Sequence, residues 1–258
     1  MNSKPTPYPE VNELLLRLLA KAKDILREQF VGMYLYGSLS SGDFDPESSD
    51  IDFLFVTEDT LTPEMVSRLE TMHQQTWATS DKRAGKLEGA YMPRSLIRRH
   101  DPSGRECPTV NEGKFYLDRP GSDWIIQRHV VREYCVTIEG PDPKTLIDFV
   151  SPEKIREAVR GVLREWWFPM LENPAWLREN SRGYHSYAIL TMCRALHALE
   201  HGTIVSKPVA AKWAQTQLGS QWTDIIRLAL LARKPTPEEF DLLVPAIELI
   251  QFVRDNAE

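Results

Sequence analysis

Cysteine is scarce in this chain. The three that occur, Cys107, Cys135 and Cys193, lie far apart and form no C-x-x-C pair. That spacing excludes a zinc-ribbon site and a disulfide framework, and it suits a reducing compartment. Long apolar runs are missing as well. None approaches membrane-spanning length, and the N-terminus MNSKPTPYPEVNELLL has no basic region followed by an apolar core. A soluble cytoplasmic protein without membrane or nucleic-acid partners is the expectation. The nucleic-acid exclusion follows from charge: the net value is −6, and a binder working through a general basic field needs clustered Lys and Arg. A local basic pocket for one triphosphate stays compatible. No internal repeat or low-complexity tract stands out. The 258 residues suffice for one large domain or two ordinary ones.

The stretch Tyr34–Val56, YLYGSLSSGDFDPESSDIDFLFV, organises the rest. One apolar run, Val31 to Tyr36, leads into Gly37-Ser38. After a loop, Asp50-Ile51-Asp52 opens a second run, Phe53 to Val56. Both are short, aromatic or β-branched, and bounded by turn residues, which predicts two buried strands. Asp50 and Asp52, two apart on a strand, project to one face. Two like charges side by side are unfavourable unless a cation joins them. Hard oxygen ligands of this kind suit Mg²⁺ completed by substrate phosphates. Gly37-Ser38 stands at a strand-to-helix turn, where N–H groups and a hydroxyl can hold phosphate oxygens. Metal-bound nucleoside triphosphate is the ligand these features suggest.

Elsewhere the pattern predicts an amphipathic helix over Pro9–Phe30 and a second from Pro63 to about Thr79, capped by Thr62. Lys86–Met92 reads as a third strand, and Glu88 faces the same site if that strand lies beside Asp50–Val56. Pro93–Gly113 reads as an irregular loop. Trp124–Gln127 and Tyr134–Ile138 read as short extended segments, and Gly140-Pro141 as a domain boundary. Helices follow from Ser151 to about Glu172, Ser181 to His201, Ser206 to about Leu218, Trp222 to Lys234, and Thr236 to about Asp255. His197 and His201 lie at helical spacing but lack the Glu of a zinc H-E-x-x-H motif, so a structural role is favoured. Trp166-Trp167 reads as core and domain interface.

Gly37-Ser38 followed by Asp50-x-Asp52 after an apolar strand resembles the signature of the nucleotidyltransferase superfamily of the polymerase β-like fold. The later segments are similar to streptomycin and spectinomycin adenylyltransferases: Val136 to Pro141, Leu190-Thr-x-x-Arg194, Ile204-x-x-Lys207 and Val209-Ala-x-x-Trp-Ala214. The resemblance covers about residues 12–255. It implies an α/β nucleotidyltransferase domain over 1–145, with a small mixed sheet and flanking helices, and an all-α helical bundle over 146–258 packing across its cleft. It implies AMP transfer from ATP, with two Mg²⁺ ions, to a hydroxyl of a small acceptor, by a monomer. Asp50 and Asp52 become metal ligands, and Glu88 a catalytic base or further ligand. Gly37, Ser38, Arg194 and Lys207 become contacts to the nucleotide.

The acceptor side departs from that pattern. The streptomycin enzymes place acidic and aromatic residues just before the Leu-Thr-x-x-Arg segment. Here Ser181–Tyr187 has no carboxylate, although Glu179 is close. Trp124, Trp176, Tyr184 and Tyr187 are the remaining candidates for holding an aminoglycoside or aminocyclitol. Two alternatives belong to other classes: AMP transfer to a protein, as in minimal antitoxin-type enzymes, and a nucleotide-binding module without turnover.

Overall fold

The computed structural model describes residues 4–233 and 241–257. They fall into two compact units, one drawn from within Met1–Asp45 and Ser49–Phe149, the other from within Pro46–Ser48 and Val150–Glu258.

The first unit is built on a mixed six-stranded sheet. Helix α1 (Pro9–Leu26) buries Val11, Leu14, Leu15, Leu18, Leu19, Ala22 and Ile25, the stripe expected from its 3.6-residue period. It ends before the predicted Phe30, because a short 3₁₀ turn, Arg27–Gln29, intervenes and Phe30 already opens β1 (Phe30–Leu35). One helical turn, α2 (Gly37–Ser41), then leads to β2 (Ile51–Thr57). Helix α3 (Pro63–Trp77) is capped by the Thr62 hydroxyl, which accepts from the Met65 N–H. Strand β3 (Leu87–Pro93) follows.

The region read as a loop is ordered. It holds α4 (Arg94–Arg98) and a hairpin of β4 (Cys107–Asn111) and β5 (Lys114–Asp118). Glu112 and Gly113, both at positive φ, make the hairpin's two-residue turn. The Trp124–Gln127 segment is not extended. It opens α5 (Asp123–Tyr134), after which only Val136–Glu139 is strand, β6. A short α6 (Pro143–Leu146) completes the unit.

The sheet order is β5-β4-β3-β2-β1-β6, with β2 and β3 parallel and the other pairs antiparallel. Leu14 and Leu18 of α1 and Leu69 and Met72 of α3 pack with Met33, Leu35, Ile51, Phe53, Phe55, Leu87 and Tyr91 in one core. The alternating positions, Tyr34, Tyr36, Asp52, Leu54, Glu88 and Ala90, therefore take the opposite face.

The second unit is helical: α7 (Pro152–Val162), α8 (Pro169–Glu172), α9 (Ala175–Glu179), α10 (Arg182–His201), α11 (Lys207–Gln217), α12 (Ser220–Ala232) and α13 (Leu243–Asn256). Ser151 caps α7, its hydroxyl accepting from the Lys154 N–H. Gly202 ends α10 in the left-handed conformation. Helix α10 packs against α7, α11, α12 and α13. The helix start expected at Thr236–Glu239 lies outside the described residues. Between α7 and α8, Leu163–Trp167 forms a π turn in which the Phe168 N–H reaches back to the Leu163 carbonyl. That turn separates the fates of two adjacent tryptophans. Trp167 is core, and Trp166 is 53% exposed, so the core reading holds for one of them.

Candidate active site

Parallel pairing of β2 with β3 sets Asp52 directly against Glu88. Both are partly accessible, whereas their strand neighbours Ile51, Phe53, Leu87 and Gly89 are buried. Two carboxylates on one face, one from each strand, form the centre of the site. Asp50, exposed, is the residue just ahead of β2.

Gly37 stands against this pair. Its φ is +63°, a conformation that favours glycine, and a Cβ there would overlap the Asp52 carboxylate. The Tyr36 N–H donates to the Asp52 carbonyl at 3.2 Å, tying the end of β1 to β2 just before the turn. Ser38, second residue of α2, is partly accessible beside it. The sequence-predicted set Gly37, Ser38, Asp52 and Glu88 is thus brought together by one strand register and one turn.

Two neighbours escaped the sequence reading. Tyr36 is 5% exposed, and burial pushes its phenol well above the ordinary range. The charges of Asp52, Glu88 and Asp123 push it further the same way. Asp123 heads α5, which packs against α2. Packing around the Asp123 carboxyl raises it above the usual carboxylate range, against the N–H donors of the first turn of α5. Tyr36 was detectable as the residue alternating with core Leu35. Asp123 is not, because the Trp-Ile-Ile that follows it reads equally well as a strand. Trp124, in the first turn of α5, is half-buried.

Behind the carboxylates the packing is aromatic. His73 of α3 stacks on Phe53 and hydrogen-bonds the Tyr91 hydroxyl at 2.8 Å. Burial pushes its imidazole down to about 3.

The donor set suits a hard divalent cation: carboxylate oxygens, no thiolate and no imidazole at the site. Among the described residues, no three His, Cys, Asp or Glu side chains converge as a ready-made cage. Mg²⁺ does not require one, since it is usually held by one or two carboxylates with waters and substrate phosphates.

In the helical unit, α9, α10 and α11 carry the other predicted residues. Trp176 meets Tyr184 edge-on at 4.3 Å, and Tyr184 lies 5.5 Å from Tyr187 and 6.2 Å from Trp167. Burial pushes the Tyr184 phenol up to about 12. Lys207, first residue of α11, holds its ammonium 4.7 Å over the Tyr187 ring. Arg194 lies farther along α10, partly buried. His197 and His201 pack on each other and on Trp213, in keeping with a structural role.

Residues 19–87 match the family model of the nucleotidyltransferase domain, and residues 145–248 match that of the aminoglycoside adenylyltransferase C-terminal domain. Among curated proteins, the spectinomycin 9-adenylyltransferase of Staphylococcus aureus is 26% identical, over 83% of this chain and 82% of its own. That of Campylobacter jejuni is 24% identical over 83% and 81%. An aminoglycoside (3'') (9) adenylyltransferase of Rhizobium radiobacter is 29% identical over 48% of this chain and 42% of its own. Among solved structures, a spectinomycin adenyltransferase from Enterococcus faecialis, determined with ATP and spectinomycin, superposes with a TM-score of 0.75. The match covers 95% of this chain and 98% of that one at 18% identity, a likeness of fold.

Proposed function

We propose that this nucleotidyltransferase, which resembles the aminoglycoside adenylyltransferases in both of its halves, transfers AMP from ATP to a hydroxyl of an aminoglycoside or aminocyclitol antibiotic. Spectinomycin, named for the relatives in two organisms, and streptomycin are the acceptors of choice. The observation that carries the reading is the Asp52–Glu88 register with Gly37 set against the Asp52 carboxylate. Glu88 takes the proton of the acceptor hydroxyl. The oxygen then attacks the α-phosphorus, the bond from that phosphorus to the bridging oxygen of the β-phosphate breaks, and pyrophosphate leaves. The Gly37 backbone and Ser38 hold the outer phosphates, and Arg194 and Lys207 neutralise charge on them. Asp50 and Asp52, with Glu88 as a further candidate ligand, would hold Mg²⁺, whose bound charge stabilises the triphosphate and lowers the pKa of the attacking hydroxyl.

Residues 1–145 supply the nucleotide chemistry in this reading, and 146–258 supply the helical adenylyltransferase-type half. The protein acts as a monomer on small molecules.

The test couples titration of ATP with Mg²⁺ to pyrophosphate release in the presence of each drug, and adds resistance of a sensitive bacterium expressing the chain. Asp52→Asn and Glu88→Gln should each lower turnover by at least about 100-fold and abolish protection. Undiminished turnover in Asp52→Asn, or no pyrophosphate release by wild type with any hydroxyl compound, would refute the reading.

A further inference from the structure

The sheet ends on one side in β5, and that edge is open. The strand reads Lys114-Phe115-Tyr116-Leu117-Asp118, and all of it except Phe115 is exposed. An exposed strand edge carries unpaired N–H and C=O groups, a template for a further strand. The register shows which groups those are. The two-residue turn closes on Asn111 and Lys114, so these two exchange both hydrogen bonds. Bonded and non-bonded pairs alternate from there. Tyr116 and Asp118 bond to β4, while Phe115 and Leu117 turn their N–H and C=O groups outward. Among the described residues, no backbone group from outside the sheet meets them.

The side chains on this edge are complementary to themselves. Laid antiparallel on a second β5 about Tyr116, the strand sets Phe115 of each copy opposite Leu117 of the other. Those are the residues whose backbone groups point outward, so they form the hydrogen-bonded pairs of the new ladder. Lys114 then faces Asp118 of the second copy, and Asp118 faces its Lys114, in the non-bonded pairs where side chains come closest. Among the described residues neither Lys114 nor Asp118 makes an ion pair; Asp118 accepts only from the Arg119 N–H, at 2.8 Å. The two Tyr116 rings meet on the symmetry axis, an aromatic cross-strand pair. On the other face Phe115 already packs against the core, while Leu117 is 51% exposed and gains the Phe115 of the second copy as cover. The opposite edge of the sheet, β6, has no such symmetry. Its one charged residue, Glu139, is paired with Lys23.

We infer that β5 is a docking edge for a second copy of this chain, pairing antiparallel about Tyr116 and joining the two sheets into one. A contact built on a single five-residue strand belongs to the small class of interfaces, so the pairing is reversible and sets in as concentration rises. It contributes no residue to the carboxylate pair of either copy. At assay dilution the monomer stays the unit of catalysis.

The experiment is sedimentation velocity of the full chain over about a hundredfold range of concentration, in which the mass of wild type should rise from one copy toward two. Lys114→Asp puts like charges opposite each other in both pairs, and so does Asp118→Lys. Each variant alone should stay a single copy over the same range. Mixed in equal amounts they should pair, because every Asp of one then faces a Lys of the other. Leu117→Pro removes an outward N–H without touching the ladder to β4, and it too should stay single. Circular dichroism checks that each variant is folded, and the charge variants, both at exposed positions, carry the test should the proline variant fail to fold. Wild type that remains single at the highest concentration overturns the inference. So does a mixture of the two charge variants that fails to pair, or a folded Leu117→Pro that pairs as well as wild type. None of these positions belongs to the candidate active site, so the outcome is independent of adenylyl transfer.

Discussion

The two units position their candidate residues by different means. In the α/β unit the backbone does it: a parallel register sets Asp52 beside Glu88, and a left-handed glycine leaves the space that the Asp52 carboxylate occupies. In the helical unit, side chains do it from helix surfaces. Tyr184 and Tyr187 sit at i and i+3 on α10, Trp176 comes from one-turn α9, and Lys207 leans on a ring from the start of α11. A group fixed by strand register keeps its face as long as the register holds, because a one-residue slip reverses every side chain. A ring on an exposed helix face can be replaced while the core stays intact. The carboxylate pair of the first unit is therefore held by backbone pairing, and the rings of the second by helix surfaces alone.

The sharpest way to break this contrast is Gly37→Ala. The added methyl meets the Asp52 carboxylate and the φ is unfavourable for alanine. Turnover should fall at least about 100-fold, since small misplacements of reacting groups have effects of that size, with about 1–3 kcal/mol lost in stability from backbone strain. Near-normal kcat in this variant would show that the turn does not fix the carboxylate.

An effect on stability alone, confined to the α/β unit, comes from pH. His73 has its folded pKa lowered to about 3, against 6.5 in the unfolded chain. The unfolded state therefore binds the extra proton first as pH falls. The stability linked to His73 is fully present above about 6.5 and is lost progressively down to about 3, several kcal/mol in all at roughly 1.4 kcal/mol per unit. Chemical denaturation followed across that window should show a steeper loss for wild type than for His73→Gln. Equal slopes would mean the imidazole is not the group responsible.

The mildest expectation sharpens the other side of the contrast. Trp176 is 41% exposed, so Trp176→Ala should shift the melting temperature by no more than about 2–4 °C, the equivalent of about 1 kcal/mol. In steady-state assays it should raise the acceptor KM about tenfold or less while KM for ATP holds within twofold, the loss of one aromatic contact worth about 0.5–1.5 kcal/mol. A collapse of stability would make this ring structural.

The same contrast governs what the sequence revealed. The strands around Gly37-Ser38 and Asp52 were legible because apolar runs bounded by turn residues carry an unambiguous signal. The capped starts of α3 and α7 were legible from Thr62-Pro63 and Ser151-Pro152. Helix α5 was not. Arg128, His129, Val130 and Val131 are all buried in succession, so no polar stripe marks a 3.6-residue period, and the Trp-Ile-Ile run alone cannot distinguish helix from strand. Its buried Arg128 looks like a surface residue until its carbonyl partners on α4 are seen. The hairpin of β4 and β5 was hidden for the opposite reason. Strand β5 is mostly exposed and bears Lys114 and Asp118, so it lacks an apolar alternation. Missing α5 meant missing Asp123.

Asp52 and Glu88 lie on strands separated in sequence by the whole of α3, yet they are adjacent in the sheet. Neither half of the pair exists as a site until that long connection has closed, and parallel pairings of this kind are among the slower steps of folding. During synthesis, a chain released before Leu87 would already carry the Gly-Ser turn and the aspartates but no partner carboxylate for them. Onset of catalysis in a refolding experiment would then time the closure of β2 on β3, making the enzyme's own reaction a clock for the assembly of its sheet.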